Sequence, residues 1–176
     1  MSSEGNIVLR FPSLETPEIG PRLLASRDRI DRAFAELLGG YSLKAEDVLN
    51  EVVEVKDYNG VVEVGGISFY SFCEHHFAPF FGTADVAYVP GKIITGLGKV
   101  VRLVSDVHAR RLQVQELMTR DIAEDLARVI KAKAVRVVTR ATHLCICSRG
   151  PKNETSWTEV RYACGETELI DRHQRG

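Results

Sequence analysis

The sequence lacks a charge excess, a long apolar run and a secretion signal, and each absence excludes a class of protein. The 176 residues carry a formal net charge of −1, which gives no reason to expect nucleic acid or an anionic membrane as a partner. Apolar runs are short and interrupted by glycine or charge, so no transmembrane segment is predicted. The first residues, MSSEGNIVLRFPSLE, lack the basic and apolar regions of a signal peptide, and the cytoplasm is the expected compartment.

Cysteine is also scarce, with only Cys73, Cys145, Cys147 and Cys164 in the whole chain. Because thiols stay reduced in the cytoplasm, these four are better interpreted as free thiols or metal ligands than as a disulfide framework.

The chain is most simply one domain preceded by an arm. Residues 1–20 contain Pro12 and Pro17 and show little periodicity, which is typical of an extended N-terminal arm. With 44% hydrophobic residues, the remaining segment 21–176 is long enough to bury one core. Apolar residues recur at helical spacing from Arg27 to Leu38, and two glycines follow, so a helix is predicted there.

Strand and helix patterns fall into separate runs along the chain. Two valine-rich runs flank Asn59-Gly60, which predicts a β-hairpin with a tight turn at these two residues. A further strand, two amphipathic helices over about 99–130 and two more strands follow. Segregated runs of this kind favour an α+β fold with an antiparallel sheet.

The segment YSFCEHHFAPFFG predicts a metal site. Cys73 and His76 have a C-x-x-H spacing that lets a thiolate and an imidazole reach one ion. On the predicted strand HLCICSRG, side-chain alternation places His143, Cys145, Cys147 and Arg149 on one face. Adding Cys145 to the first two ligands gives a Cys₂His set, which suits Zn²⁺ and leaves one position for water.

Three alternatives remain open from spacing alone: a catalytic zinc, a closed structural zinc site with His143 or Cys147 as fourth ligand, and no metal with buried cysteines. The surplus of His75 and His143 beside the ligand set favours catalysis, because a hydrolytic site needs proton donors and acceptors near the activated water.

Cationic side chains form a second pattern. Lys99 and Arg102 share one predicted helix face, Arg29 and Arg32 share another, and Arg149 shares the strand face of His143. Each of them alone is most simply a solvated surface charge, but together they would form a polyphosphate site. Glu116 begins the longer helix, where an acid either interacts with the helix dipole or pairs with two N–H donors of a purine or pterin.

The segments FYSFCEHHFAPFFGTADVAYVPG, ITGLGKVVRLV, ARRLQVQELMTRDIAEDL and ATHLCICSRG closely resemble GTP cyclohydrolase I. The resemblance implies the T-fold, in which an antiparallel sheet carries paired helices on one side. It also implies a homo-oligomer, a decamer of two pentamers, that converts GTP and water into formate and 7,8-dihydroneopterin triphosphate.

The resemblance assigns a role to each motif position. Cys73, His76 and Cys145 would bind zinc, and His75 and His143 would transfer protons. Gln115 and Glu116 would hold the guanine edge, while Lys99, Arg102 and Arg149, with Arg29 and Arg32, would hold the triphosphate.

One departure keeps other functions in view. The family motif G-L-S-K reads Gly96-Leu97-Gly98-Lys99 here, so the serine hydroxyl is missing. A paralogue that acts on a different purine or purine nucleotide, or stops at an earlier ring-opened product, is therefore the enzymatic alternative. A zinc-stabilised ring protein that only binds nucleotide or pterin is the non-enzymatic one, and it would not require His75 and His143.

Overall fold

In a computed structural model of the chain, the structure describes residues 11–174, which divide into a unit up to residue 35 and a second unit from residue 36 onward. A 3₁₀ turn at Pro12–Leu14 lies in the first unit, and helix α1, Gly20–Leu37, begins in it and ends two residues after the boundary. The predicted helix is confirmed, but it begins earlier than Arg27. Pro21 causes no break, because the first helical turn leaves its N–H groups unpaired and proline has none. The first ten residues of the predicted arm lie outside the described residues, and the predicted domain limits stay a prediction.

The second unit contains a long-stranded sheet and the helices packed on it. Its elements are a 3₁₀ turn at Gly39–Ser42, α2 Ala45–Val48, β1 Val52–Glu54, β2 Val62–Cys73, β3 Ala78–Val89, β4 Ile93–Thr95, α3 Leu97–Arg102 with a π-helical continuation Leu103–His108, β5 Leu112–Gln113, α4 Gln115–Ile130, β6 Ala134–His143, α5 Leu144–Cys147, β7 Thr158–Gly165 and α6 Glu168–Gln174.

The main sheet has the order β5-β2-β3-β6-β7. All neighbours are antiparallel except β2 and β5, which pair in parallel at Phe72↔Leu112. A bulge between Val64 and Ile67 interrupts the β2–β3 ladder, and Gly66 there has a φ of 69° that favours glycine. The predicted α+β class with an antiparallel sheet is confirmed.

The predicted hairpin at Asn59-Gly60 is wrong. Strand β1 pairs with β4, with Val52 opposite Thr95, and not with β2. In the segment between β1 and β2, Asp57 has a left-handed φ of 54°. Strand β2 instead pairs along most of its length with the next strand, β3, and this ladder of ten residue pairs outweighs a two-residue turn signal.

The core lies between one face of the sheet and the helices. Met118, Ile122, Leu126 and Ile130 of α4 are fully buried, and each such side chain contributes about 1.5–3 kcal/mol by leaving water. Val100 of α3 and Leu103, Val104 and Val107 of its π-helical continuation belong to the same hydrophobic cluster, which confirms the predicted helices on one side of the sheet. Among residues 11–174, no helix has both the length and the apolar character needed to cross a membrane.

Candidate metal centre and active site

Three predicted ligands converge at one end of the sheet. Cys73 ends β2, His76 lies in the connection to β3, and Cys145 lies in the first turn of α5. One ligand atom from each lies within 4.8 Å of the other two, and Cys73 Sγ is 4.0 Å from His76 Nδ1. Tetrahedral zinc, with bonds of about 2.0–2.3 Å, separates its ligand atoms by roughly 3.6 Å. The three residues therefore fit a zinc ion.

The tight connection after β2 brings Cys73 and His76 together. The Phe77 N–H donates to the Cys73 carbonyl at 2.8 Å, and Phe77 has a left-handed φ of 53°. Cys73 then pairs with Ala78 as the last pair of the β2–β3 ladder. The C-x-x-H spacing thus lies within one closed turn, as the sequence predicted.

Cys145 reaches the site by a different local structure from the one predicted. Strand β6 ends at His143, and Leu144–Cys147 forms a helical turn, so the predicted alternation of His143, Cys145 and Cys147 along one strand face is wrong. In the β3–β6 register His143 is opposite Phe80. One more pair in this antiparallel ladder would place Leu144 opposite Pro79, the residue before Phe80. Proline has no N–H with which to extend the ladder.

Cys73 and Cys145 are buried free thiols. Burial raises the pKa of the Cys145 thiol, and the adjacent Cys73 thiol raises it further. The Cys145 thiol therefore does not ionise readily unless a cation compensates its charge, and its position beside Cys73 and His76 suits a bound metal ion.

His143 is held in one orientation. Its ring stacks on Phe80 with centroids 4.6 Å apart and planes 2° apart, and its Nε2 lies 2.8 Å from Gln115 Oε1. Burial lowers the pKa of His143, partly offset by the charge of Glu116. The imidazole is therefore neutral near pH 7.

A buried network fixes which way the Gln115 amide points. The Gln115 side-chain nitrogen donates to Thr139 Oγ1 at 3.0 Å and to the carbonyls of Thr139 and Thr158 at 3.2 Å. Thr119 Oγ1 lies 2.7 Å from Thr139 Oγ1. The amide oxygen must then face His143, so the neutral ring carries its proton on Nε2 and leaves Nδ1 as an acceptor.

The remaining predicted residues of this end of the sheet are more exposed. His75 Nδ1 lies 3.9 Å from Cys73 Sγ, beside the ligand set. Glu116 is exposed in the first turn of α4, and its charge reaches His143. Arg149 is exposed just after α5, and its charge reaches Cys145.

Lys99 and Arg102 lie on α3, each beside an acid. Lys99 Nζ is 3.0 Å from Glu51 Oε1, and Arg102 Nε is 3.1 Å from Asp106 Oδ2. Arg29 and Arg32 lie on α1 in the first unit, and their assignment as phosphate ligands stays a prediction.

The sequence reasoning missed the residues that support the site. Phe80, Thr119 and Thr139 hold His143 or Gln115, and Glu51 contacts Lys99. Of these four residues, only Phe80 could have been predicted, because the β3–β6 register places it opposite His143. The other three have no motif, since ordinary strand and helix residues become supporting residues only through packing.

Comparison with known proteins agrees with this geometry. Residues 14–175 match the GTP cyclohydrolase I family. The GTP cyclohydrolase 1 of Brucella anthropi is 42% identical over 153 residues, covering 86% of this chain and 71% of that protein. The GTP cyclohydrolase 1 of Campylobacter jejuni is 44% identical over 136 residues, covering 77% of this chain and 71% of that protein.

A solved structure supports the fold. The archaeosine synthase QueF-Like in its apo form has a TM-score of 0.50 and 15% identity, covering 62% of this chain and 97% of that chain. At this identity the likeness supports only the fold, and it agrees with the predicted T-fold. Because the family match spans nearly all of the sequence, the chain belongs to the GTP cyclohydrolase I family.

Proposed function

We propose that this protein is a zinc-dependent GTP cyclohydrolase. It opens the imidazole ring of GTP at C8 with water, releases formate and forms 7,8-dihydroneopterin triphosphate. The observation that carries the proposal is the convergence of three metal-ligand side chains with His143 and Glu116 at one end of the sheet.

Cys73, His76 and Cys145 would hold the zinc ion, since their ligand atoms lie within 4.8 Å of one another. When bound, zinc supplies a Lewis acid that activates water at neutral pH. Two thiolates and one imidazole suit zinc and leave a position open for catalysis.

His143 and His75 would move the protons of the reaction. His143 is neutral, and with its Nε2–H directed at Gln115 it offers Nδ1 as the proton acceptor. Stacking on Phe80 restricts rotation of the ring, so little ordering is needed when the substrate binds. His75, beside Cys73, would serve as the second proton-transfer residue.

Glu116 would hold the guanine edge of the substrate. Its carboxylate is exposed, and guanine presents two N–H donors side by side that a carboxylate accepts together. Gln115 remains predicted as a second guanine ligand. Its buried amide supports a further role, the orientation of His143.

The cations Lys99, Arg102 and Arg149, with Arg29 and Arg32, would bind the triphosphate. Active sites between subunits of a decamer built from two pentamers, and a cytoplasmic location, complete the proposal. Both rest on the resemblance to the family.

Gly98 favours a second candidate, a paralogue that acts on another purine nucleotide. A Cβ atom at this position would meet no other atom within 4 Å. Packing therefore does not exclude the serine that the family motif carries there, and the missing hydroxyl points to a difference in the substrate or in a later step.

The test is to incubate the zinc-loaded protein with GTP and identify the products by mass spectrometry, with formate measured separately. Formation of formate and dihydroneopterin triphosphate supports the proposal. Accumulation of a ring-opened species, or no reaction with GTP but reaction with another purine nucleotide, supports the paralogue. A zinc-loaded protein that binds nucleotide and turns over none of them supports the non-enzymatic alternative.

Two cysteine variants provide a matched pair for this test. Cys145→Ser should lose both the metal and turnover. Cys147→Ser, two residues further along α5 and outside the three-ligand group, should retain both. Equal zinc content in the two variants would exclude Cys145 as a ligand.

A further inference from the structure

Lys99 forms an ion pair with Glu51, whose backbone is hydrogen-bonded to neighbouring residues. Lys99 Nζ lies 3.0 Å from Glu51 Oε1. The Glu51 carbonyl accepts from Thr95 Oγ1 and from the Gly96 N–H, each at 3.2 Å. Two hydrogen bonds therefore tie the backbone of Glu51 to the segment that leads into α3.

The two side chains meet over Gly96. A Cβ atom at residue 96 would lie 3.5 Å from Lys99 Cγ and 4.0 Å from Glu51 Oε2. The Lys99 N–H also donates to the Gly96 carbonyl at 2.9 Å. These hydrogen bonds fix the backbones that carry the two side chains, so the lysine and the carboxylate lie within reach of each other.

The two partners differ in exposure. The Lys99 side chain is 18% exposed, whereas that of Glu51 is 73% exposed. An incoming anion can therefore replace the Glu51 carboxylate, which can move into water, while the lysine stays where it is. Exposed ion pairs contribute little free energy, so the exchange is reversible.

We infer that Glu51 is a specificity-determining residue that competes with the substrate's phosphate for Lys99. The carboxylate takes the place of a phosphate oxygen in the free protein, and it repels anions that do not displace it. A ligand must bring enough negative charge to compensate for this displacement, which selects for a polyphosphate. The inference rests on the proposed function, because it assumes that Lys99 binds phosphate.

Competition by Glu51 and positioning of Lys99 by Glu51 predict opposite changes in phosphate affinity when the Glu51 charge is removed. If Glu51 competes, Glu51→Gln strengthens the binding of inorganic tripolyphosphate by about two- to five-fold, the equivalent of one exposed ion pair. If Glu51 instead holds Lys99 ready for phosphate, the same variant weakens binding. The variant keeps the side-chain size and changes the net charge by one.

The experiment is calorimetric titration of the full chain with inorganic tripolyphosphate. The control is Glu54→Gln, an exposed acid on β1, which changes net charge equally and should leave affinity unchanged. In a Lys99→Ala background the effect of Glu51→Gln should vanish. Thermal melting of each variant verifies that it is folded.

The outcomes separate this inference from the proposed function. If Lys99→Ala weakens binding but Glu51→Gln does not strengthen it, the competitor role is overturned and the phosphate site stands. If Lys99→Ala leaves tripolyphosphate binding unchanged, or the unmodified protein does not bind tripolyphosphate, the phosphate-binding role of Lys99 and the inference are both overturned. The proposed turnover of GTP is tested independently, by product analysis. An equal gain in Glu54→Gln would reduce the effect to net charge and overturn the inference.

Discussion

The contact between buried His108 and the Asp125 carboxylate should make stability depend on pH. His108 is 1% exposed, and its Nε2 lies 3.1 Å from Asp125 Oδ2. Asp125 Oδ1 also contacts Arg128 Nη2 at 2.5 Å. These contacts join α4 to the π-helical turn that precedes β5. Asp125→Asn keeps the size of the side chain and removes its charge, so we expect the folded state to lose stability.

The magnitude follows from the pKa of the carboxyl group. Contact with His108 and then with Arg128 lowers the pKa of Asp125 from its usual 3.8 to about 2, against the opposing effect of burial. One unit of pKa is about 1.36 kcal/mol, so the full lowering corresponds to roughly 2.4 kcal/mol. The side chain is 28% exposed, and solvent screening reduces the expected loss to about 1.5–2 kcal/mol.

The sign of the pH dependence is fixed by the lowered pKa of Asp125. The folded protein holds this carboxyl ionised more strongly than the unfolded chain does, so the stabilisation is complete above about pH 5. It declines as the pH falls from about 4 and is lost when the carboxyl protonates in the folded state near pH 2. The gap between the unmodified protein and Asp125→Asn should therefore close over this range.

Urea denaturation followed by circular dichroism at pH 7, 5 and 3 provides the assay, with chelator present throughout so that metal content does not vary. Asp121→Asn, another acid on α4 that pairs with its neighbour Arg120 on the surface, should cost less than about 0.5 kcal/mol. Equal stability of Asp125→Asn and the unmodified protein at pH 7 would refute the reasoning. So would a difference that stays constant down to pH 3.

Three further predictions concern the site and the sheet. Gln115→Met removes the acceptor for His143 Nε2 and should lower turnover by about 10²-fold. Zinc content, measured by metal analysis, should stay unchanged, and loss of zinc would contradict a positioning role for Gln115. Gly82→Ala places a Cβ atom 1.8 Å from the Arg140 carbonyl and should lower the free energy of unfolding by about 3 kcal/mol in urea, whereas Gly98→Ala, in open space, should change it by less than about 1 kcal/mol. Removing the metal with a chelator should abolish turnover while circular dichroism stays near native, and unfolding instead would indicate a structural zinc.

The three proposed metal ligands illustrate which parts of the candidate site could be predicted. Cys73 and His76 followed from spacing, because two residues in one turn are close in almost any local conformation. Cys145 was predicted as the third ligand from chemistry and family resemblance, but the strand predicted around it is a helical turn in the structure. Strand alternation does not apply beyond His143, where β6 gives way to the helical turn of α5.

The hairpin at Asn59-Gly60 failed for a related reason. A turn signal reports only a local backbone preference, and the pairing of a strand depends on which partner covers its full length. Strand β2 pairs with β3, and β1 pairs with β4. The α+β class was predictable nevertheless, because the hydrophobic periods identify strands and helices regardless of which strands become neighbours.

The amino-acid sequence was sufficient to predict the chemistry of the candidate site from thiols and imidazoles at zinc-ligand spacing, extra histidines beside them, and the motifs of one family. These depend on residue types and short separations, which survive any folding of the rest of the chain. Three contacts follow only from the folded structure: Gln115 faces His143, Glu51 pairs with Lys99, and Phe80 stacks on the His143 ring. Such contacts join residues far apart in the chain, and they depend on strand register and helix packing, which no local pattern encodes.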